Sequence, residues 1–190
     1  MTATKVLRNE HEFILKVLAA SDEVARRLRA GIAVAPQMLD DILEFLRLFA
    51  DRCHHGKEED LLFPLLEAKG VPRDGGPIGV MLSEHDEGRA LIRSMAEAAQ
   101  EYRTNPAGAG PRWARDAAAY STLLREHIGK ENDILFVIAE RMLSPEEQAR
   151  LAAEFERVEV EKMGAGTHER LHAQMEGLLK EVEKSKAVSS

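Results

Sequence analysis

Cysteine is almost missing from this sequence. Its 190 residues contain a single cysteine, Cys53, so the chain cannot form an internal disulfide. One unpaired cysteine is typical of proteins from a reducing compartment, and we predict a cytoplasmic location with Cys53 as a small buried residue. Aromatic residues make up only 5% of the chain, whereas Ala, Leu, Glu and Arg are abundant, which favours an all-helical fold.

Long apolar runs and basic clusters are missing as well. No stretch approaches the roughly 20 apolar residues of a membrane span, and residues 1–13 have no long apolar segment of the kind found in a signal peptide. The formal net charge is −7, without a basic arm. We therefore expect neither a membrane nor a nucleic acid as a partner.

Apolar residues do recur at helical spacing in four long segments, which Gly- and Pro-rich stretches separate. The predicted helices span residues 4–30, 36–68, 78–103 and 111–142. Four amphipathic helices with short connections predict an up-down-up-down four-helix bundle over residues 1–143.

The remainder of the chain begins with a helix-start signal. Ser144, Pro145 and Glu147 have the order of a capping box with proline in the first helical position. Two further helices are predicted, ending near residues 163 and 183. We predict that residues 144–185 form a helical extension packed on the bundle and that residues 186–190 are disordered.

An internal repeat is the most informative feature of the sequence. The segments HHGKEEDLLFP from His54 and HIGKENDILFV from His127 are identical at seven of eleven positions. A Glu-His pair precedes each copy, with His11 lying 43 residues before His54 and His85 lying 42 residues before His127. A repeat of this size predicts two similar helical hairpins related by a pseudo-two-fold axis.

Each copy of the repeat contains a histidine followed four residues later by a glutamate. Residues four apart lie on one helical face with Cβ atoms about 5–6 Å apart, so both side chains can bind one ion. Steps of 3.6 residues from each histidine pass through Leu, Ile and Met, so these polar side chains belong to the buried faces. Buried carboxylates are costly unless they are paired or bind a metal. The predicted metal ligands are His11, His54, Glu58, His85, His127 and Glu131.

These motifs resemble the hemerythrin-like, or HHE cation-binding, family over residues 5–141. The resemblance implies a non-haem centre of two iron ions, oxo- or hydroxo-bridged, in a four-helix bundle. It implies that Glu58 and Glu131 bridge the two ions, while the four histidines are terminal ligands. Because sites of histidine and carboxylate also accept other metals, Mn or Zn is an alternative.

One expected ligand is missing from the pattern. Oxygen-carrying hemerythrins have a second histidine four residues after the one on the third helix, and Arg89 stands there in this sequence. His168, with His172 four residues further on, is our first candidate for the fifth histidine, if the last helix folds back over the bundle. Tyr120 is the second, either as a ligand or as a hydrogen-bond partner of one.

Four further side chains next to the motifs are predicted to support the ligands. His55 falls on a mixed boundary face and is expected to pair with Glu59 or to lie behind the ligands. A register in which His55 and Glu59 are themselves the ligands is the alternative. Glu10 and Glu84 are expected either to accept hydrogen bonds from ligand imidazoles or to be exposed.

The resemblance implies that dioxygen, peroxide or nitric oxide binds at the metal, for sensing, scavenging or stress protection. One alternative is an enzyme that decomposes peroxide or delivers iron for repair. Another is iron storage or a structural cation. Whether the chain is an enzyme and whether it forms a homodimer are left open.

Overall fold

The computed structural model describes the backbone of residues 1–188 and the side chains of residues 1–183. Eight α-helices lie within this described part: α1 (Ala3–Arg29), α2 (Pro36–Phe45), α3 (Phe63–Ala68), α4 (Pro77–Tyr102), α5 (Pro106–Lys130), α6 (Phe136–Met142), α7 (Pro145–Met163) and α8 (Thr167–Val188). Three π-helical stretches join some of them end to end: π1 (Leu46–His55), π2 (Glu58–Leu62) and π3 (Glu131–Leu135). The chain from α2 to α3 is therefore one continuous rod, and so is the chain from α5 to α6.

The four rods pack as a bundle. Helix α4 packs against α5 and α2, and α1 packs against α5. This confirms the prediction of an all-helical four-helix bundle. The fourth rod begins earlier than predicted, because the Asn105 side chain caps it by accepting a hydrogen bond from the Gly108 N–H, and Pro106 occupies a first-turn position. Pro111, expected to start this helix, lies inside it.

Two apolar clusters fill the bundle, and the polar motifs lie between them. The larger cluster contains residues of α1, α2, α4, α5 and α8, from Phe13 to Val182. The smaller cluster joins the first turns of α1 and α4 to α3, α6 and α7. On each rod the motif histidine lies between residues of one cluster and residues of the other. The candidate site is therefore a polar layer closed off by apolar packing above and below.

The C-terminal helices cover one side of the bundle. Helix α7 starts with the predicted capping box, in which Ser144 N donates to Glu147 Oε2 and Glu147 N donates to Ser144 Oγ. Helix α8 lies against α1 and α2, and the His172 ring stacks on Phe13 with ring centroids 3.6 Å apart. The segment predicted as a disordered tail, residues 186–190, falls at the end of α8, and residues 189–190 lie outside the described residues.

None of the helices in the described part combines the length and the apolar composition that crossing a membrane requires.

Candidate metal centre

The π-helical stretches place the motif side chains. The Gly56 N–H donates to the Asp51 carbonyl, and the Phe63 N–H donates to the Glu58 carbonyl, each five residues back. The same five-residue bond joins Phe136 to Glu131 in the second copy of the repeat. Such turns are wider than α-helical turns and are frequent at functional sites. A wider turn changes the direction of successive side chains, so residues that an α-helix would separate can face the same interior.

Two groups of buried histidine and glutamate side chains meet at the centre of the bundle. The first group consists of His11, His54, Glu58 and Glu131, and the second consists of His55, Glu58, His85 and His127. Within each group, one ligand atom from every residue lies within 4.8 Å of the others. Glu58 belongs to both groups, so the two groups are adjacent.

The carboxylates stand between the histidines of opposite rods. Glu58 Oε1 lies 3.5 Å from His54 Nε2, and Glu58 Oε2 lies 3.6 Å from His85 Nε2. Glu131 Oε2 lies 3.2 Å from His11 Nε2 and 3.3 Å from His127 Nε2. Each glutamate thus contacts one histidine from each half of the repeat, and Glu58 does so through both of its oxygens, whereas Glu131 does so through Oε2 alone.

Several buried atoms of the two groups lack a hydrogen-bond partner within the described residues. They include both side-chain oxygens of Glu58 and Glu131 and both ring nitrogens of His55. Burial and the charge of Glu131 raise the pKa of Glu58 well above its usual value. Burial also acts to raise the pKa of Glu131, but the neighbouring His127 and His11 hold this pKa well below its usual value. Unpaired buried polar groups are rare and costly, and imidazole nitrogens with carboxylate oxygens suit a transition-metal ion. The two groups therefore fit metal binding.

In four of the histidines, the ring nitrogen Nδ1 is within hydrogen-bonding distance of a side chain of another rod. His54 Nδ1 lies 2.7 Å from Glu10 Oε2, and His127 Nδ1 lies 2.9 Å from Glu84 Oε2. Because an ionised carboxylate only accepts hydrogen bonds, Nδ1 carries the proton and the Nε2 lone pair faces the other ligands. The remaining contacts join His85 Nδ1 to Glu59 Oε1 at 2.7 Å and His11 Nδ1 to Asn132 Oδ1 at 3.1 Å.

Residues 2–139 match the family model described as hemerythrin HHE cation binding domain. The chain belongs to this family. Uncharacterized protein Rv1995 of Mycobacterium tuberculosis is 27% identical over 164 residues, which cover 86% of this chain and 64% of that protein. The iron-sulfur cluster repair protein YtfE of Edwardsiella ictaluri is 33% identical over 129 residues, covering 66% of this chain and 58% of that protein. The iron-sulfur cluster repair protein DnrN of Neisseria gonorrhoeae is 39% identical over 87 residues, covering 44% and 54%. This chain therefore spans less than two thirds of the length of each of these relatives.

The lysine that both copies of the HHE repeat retain has a structural role that sequence reasoning missed. Lys57 is completely buried, and its Nζ donates to Glu10 Oε1 at 2.5 Å and to Glu159 Oε2 at 3.3 Å. Lys130 pairs with Glu84 in the same way. Burial alone would raise the pKa of Glu10, but hydrogen bonds and charges from His54 and Lys57 hold it at about 2. The sequence does contain a signal for this role, because the same position of both repeats is a lysine, Lys57 and Lys130.

The boundary position predicted for His55 is wrong. Its side chain is buried within the HHE bundle and stacks on His85, with ring centroids 3.8 Å apart. Its expected partner Glu59 instead hydrogen-bonds His85 and Arg89. The prediction used a step of 3.6 residues, which does not hold in π1. The structure thus brings a fifth histidine into the second group, next to His54 in the chain.

The two candidates from the C-terminal helix lie outside both groups. His168 Nε2 is 3.3 Å from Glu159 Oε1, and the side chain is 31% exposed. His172 stacks on Phe13. His168 is nevertheless linked to the site, since Glu159 also contacts Lys57.

Tyr120 and Arg89 lie close to the second group. Tyr120 is buried, with a hydroxyl that has no partner among the described residues, and burial raises the pKa of its phenol. Arg89 donates to Asp51 at 2.8 Å and to Glu59 at 2.6 Å, at the position where oxygen carriers have a histidine. Cys53 is buried as expected, and burial raises the pKa of its thiol to about 12.

Proposed function

We propose that the chain holds two iron ions, one in each group, and that it protects its cell from reactive small molecules such as peroxide or nitric oxide. The observation that carries this proposal is the position of Glu58, whose two oxygens face histidines of different groups. Family membership supports a bound cation. The names of two relatives, which concern iron-sulfur cluster repair, support iron as the metal.

Each group supplies four side chains, so a six-coordinate ion keeps positions for small ligands. Glu58, which belongs to both groups, is the proposed bridge, and Glu131 belongs to the first group. His11 and His54 serve the first ion, and His55, His85 and His127 serve the second. Bound iron would supply redox chemistry and a coordination position for a small molecule. The protein contributes fixed imidazole orientations, through Glu10, Glu84, Glu59 and Asn132, and an interior shielded from bulk water.

A second candidate function is delivery of iron for the repair of iron-sulfur clusters. The names of YtfE and DnrN favour it. Under this proposal the same groups hold iron that leaves for another protein. Oxygen binding, a cytoplasmic location and a homodimer stay predictions.

Elemental analysis of protein purified from iron-rich medium tests the proposal. About two iron atoms per chain are expected, because the structure offers two groups of ligands. The loaded protein is then mixed either with hydrogen peroxide or with an iron-free ferredoxin and sulfide. Peroxide consumption without iron loss supports protection, whereas iron transfer to the ferredoxin supports repair. Protein that contains zinc or manganese, or no metal, contradicts the proposal.

His55→Ile is expected to remove metal from the second group alone. Isoleucine occupies the corresponding position in the other repeat as Ile128, which is buried, so the variant should fold. The second group then keeps only Glu58, His85 and His127. Iron content should fall from about two to about one atom per chain.

His168→Ala is the matched control, since His168 lies outside both groups. It should leave the iron content unchanged. The assignment of His55 would be refuted by full iron content in His55→Ile. A loss of iron in His168→Ala would show that the C-terminal histidine contributes to the metal site, directly or through Glu159 and Lys57.

A further inference from the structure

The Tyr120 hydroxyl is a buried hydrogen-bond donor without a partner in the described part of the chain. The whole side chain is only 2% exposed. A buried hydroxyl that loses its hydrogen bonds to water is destabilising, and such groups in a folded protein ask for an explanation. Tyr120 is outside both ligand groups, so metal binding alone does not explain it.

A narrow cavity runs past Tyr120 to the second group. It has room for about one water-sized molecule, with a volume of about 10 Å³. The three histidines of the second group line it together with Tyr120, and Ile92, Leu123 and Leu124 add apolar surface. A molecule in this cavity therefore touches both the metal-facing imidazoles and the tyrosine.

Apart from the histidines of the second group, the other polar groups that line the cavity are already engaged. Arg89 and Asp51 form an ion pair with each other. Glu84 accepts hydrogen bonds from His127 and Lys130. Tyr120 thus offers a donor that is not used elsewhere, in a space that suits a very small acceptor.

We propose that the Tyr120 hydroxyl donates a hydrogen bond to the small molecule that occupies this cavity beside the second group. The ligand class is a hydrogen-bond acceptor no larger than a diatomic molecule, and nitric oxide is the probe. The inference rests on the proposed function, because it assumes a metal ion in the second group. Tyr120 then retains the ligand and distinguishes acceptors from apolar gases of the same size.

Tyr120→Phe in the iron-loaded protein tests the inference. The iron content should be unchanged, and nitric oxide should dissociate about 5-fold faster, as expected for one lost hydrogen bond. The melting temperature of the metal-free variant should not fall, because phenylalanine replaces an unpaired hydroxyl with an apolar group of the same shape.

Tyr102→Phe is the matched control, being the other tyrosine of the chain. Its hydroxyl accepts from Val34 N at 3.1 Å and donates to Val34 O at 3.3 Å, so it has a structural role. This variant should melt at a lower temperature with unchanged nitric oxide release.

Gly88→Ala gives an independent test of the cavity. A Cβ atom at this position would lie 3.4 Å from Tyr120 Cε2 and 3.9 Å from Leu123 Cδ2, so the added methyl group narrows the space. Alanine also favours the helix, so the melting temperature should rise by up to about 3 °C. Nitric oxide should nevertheless bind more slowly, which separates the cavity from overall stability.

Three results would overturn the inference. Nitric oxide release from Tyr120→Phe could match the unmodified protein at full iron content. The iron content of Tyr120→Phe could fall, which would make Tyr120 a metal ligand. The metal-free variant could melt more than about 3 °C lower, which would make the hydroxyl structural. Unmodified protein that binds no iron would instead refute the proposed function as well.

Discussion

Glu58→Gln is expected to leave the purified protein with little or no metal. Glu58 is the residue that both ligand groups share, and its two oxygens face His54 and His85. Glutamine has the same shape but offers one neutral oxygen in place of two that share a negative charge. Mutation of a residue that hydrogen-bonds a metal ligand typically lowers metal affinity by about 10–100-fold. Loss of a ligand itself should have a larger effect, so we expect metal affinity to fall by at least about 100-fold.

Elemental analysis measures this effect, and circular dichroism checks that the helices are retained. Glu59→Gln is the matched control, since Glu59 is the next residue in the chain. Its side chain hydrogen-bonds His85 Nδ1 and Arg89, and it belongs to neither ligand group. Its metal affinity should fall by about 10-fold. Equal metal content in Glu58→Gln and the unmodified protein would exclude a shared carboxylate.

Removal of the metal with a chelator should lower the melting temperature by roughly 10 °C. Metal that binds only the folded protein adds about 4 kcal/mol of stability when its concentration exceeds the dissociation constant 1,000-fold, and each kcal/mol shifts melting by about 2–4 °C in a chain of this size. The buried carboxylates Glu58 and Glu131 add to the effect, because their oxygens have no hydrogen-bond partner among the described residues.

Thermal melts in excess iron and in chelator measure the shift, and re-addition of iron should reverse it. Glu58→Gln provides the comparison: its melting temperature should be nearly the same under both conditions, because it cannot hold the metal. Identical melting of the unmodified protein with iron and with chelator would show that the two groups are stable without an ion.

The bundle and much of the candidate site could be predicted from the sequence. The repeat identified His54 with Glu58 and His127 with Glu131, because duplicated positions separate the required residues from their neighbours. His11 and His85 followed from the Glu-His pairs that precede the two copies. The structure brings all six of these side chains into the two groups.

The rest of the site depends on information that residue spacing does not contain. His55 was misplaced because π1 widens the helix by one residue per turn at that position. The hydrogen-bond partners of the imidazoles lie on other rods. Glu10, for example, hydrogen-bonds His54 and not His11, the residue next to Glu10 in the chain. The burial of Lys57 depends on Glu159, which α7 brings to it from outside the repeat.

The packing of α8 has a consequence for how the chain folds and unfolds. Leu171, Met175 and Leu178 belong to the same apolar cluster as α1, α2 and α5, although the family match ends at residue 139. We therefore expect the cooperative folding unit to be larger than the segment that the family model matches. In hydrogen exchange, the amides of α8 near Met175 should open together with those of α1 near Phe13. A protein shortened to residue 139 would expose Phe13 and the apolar side chains around it, and we expect it to aggregate.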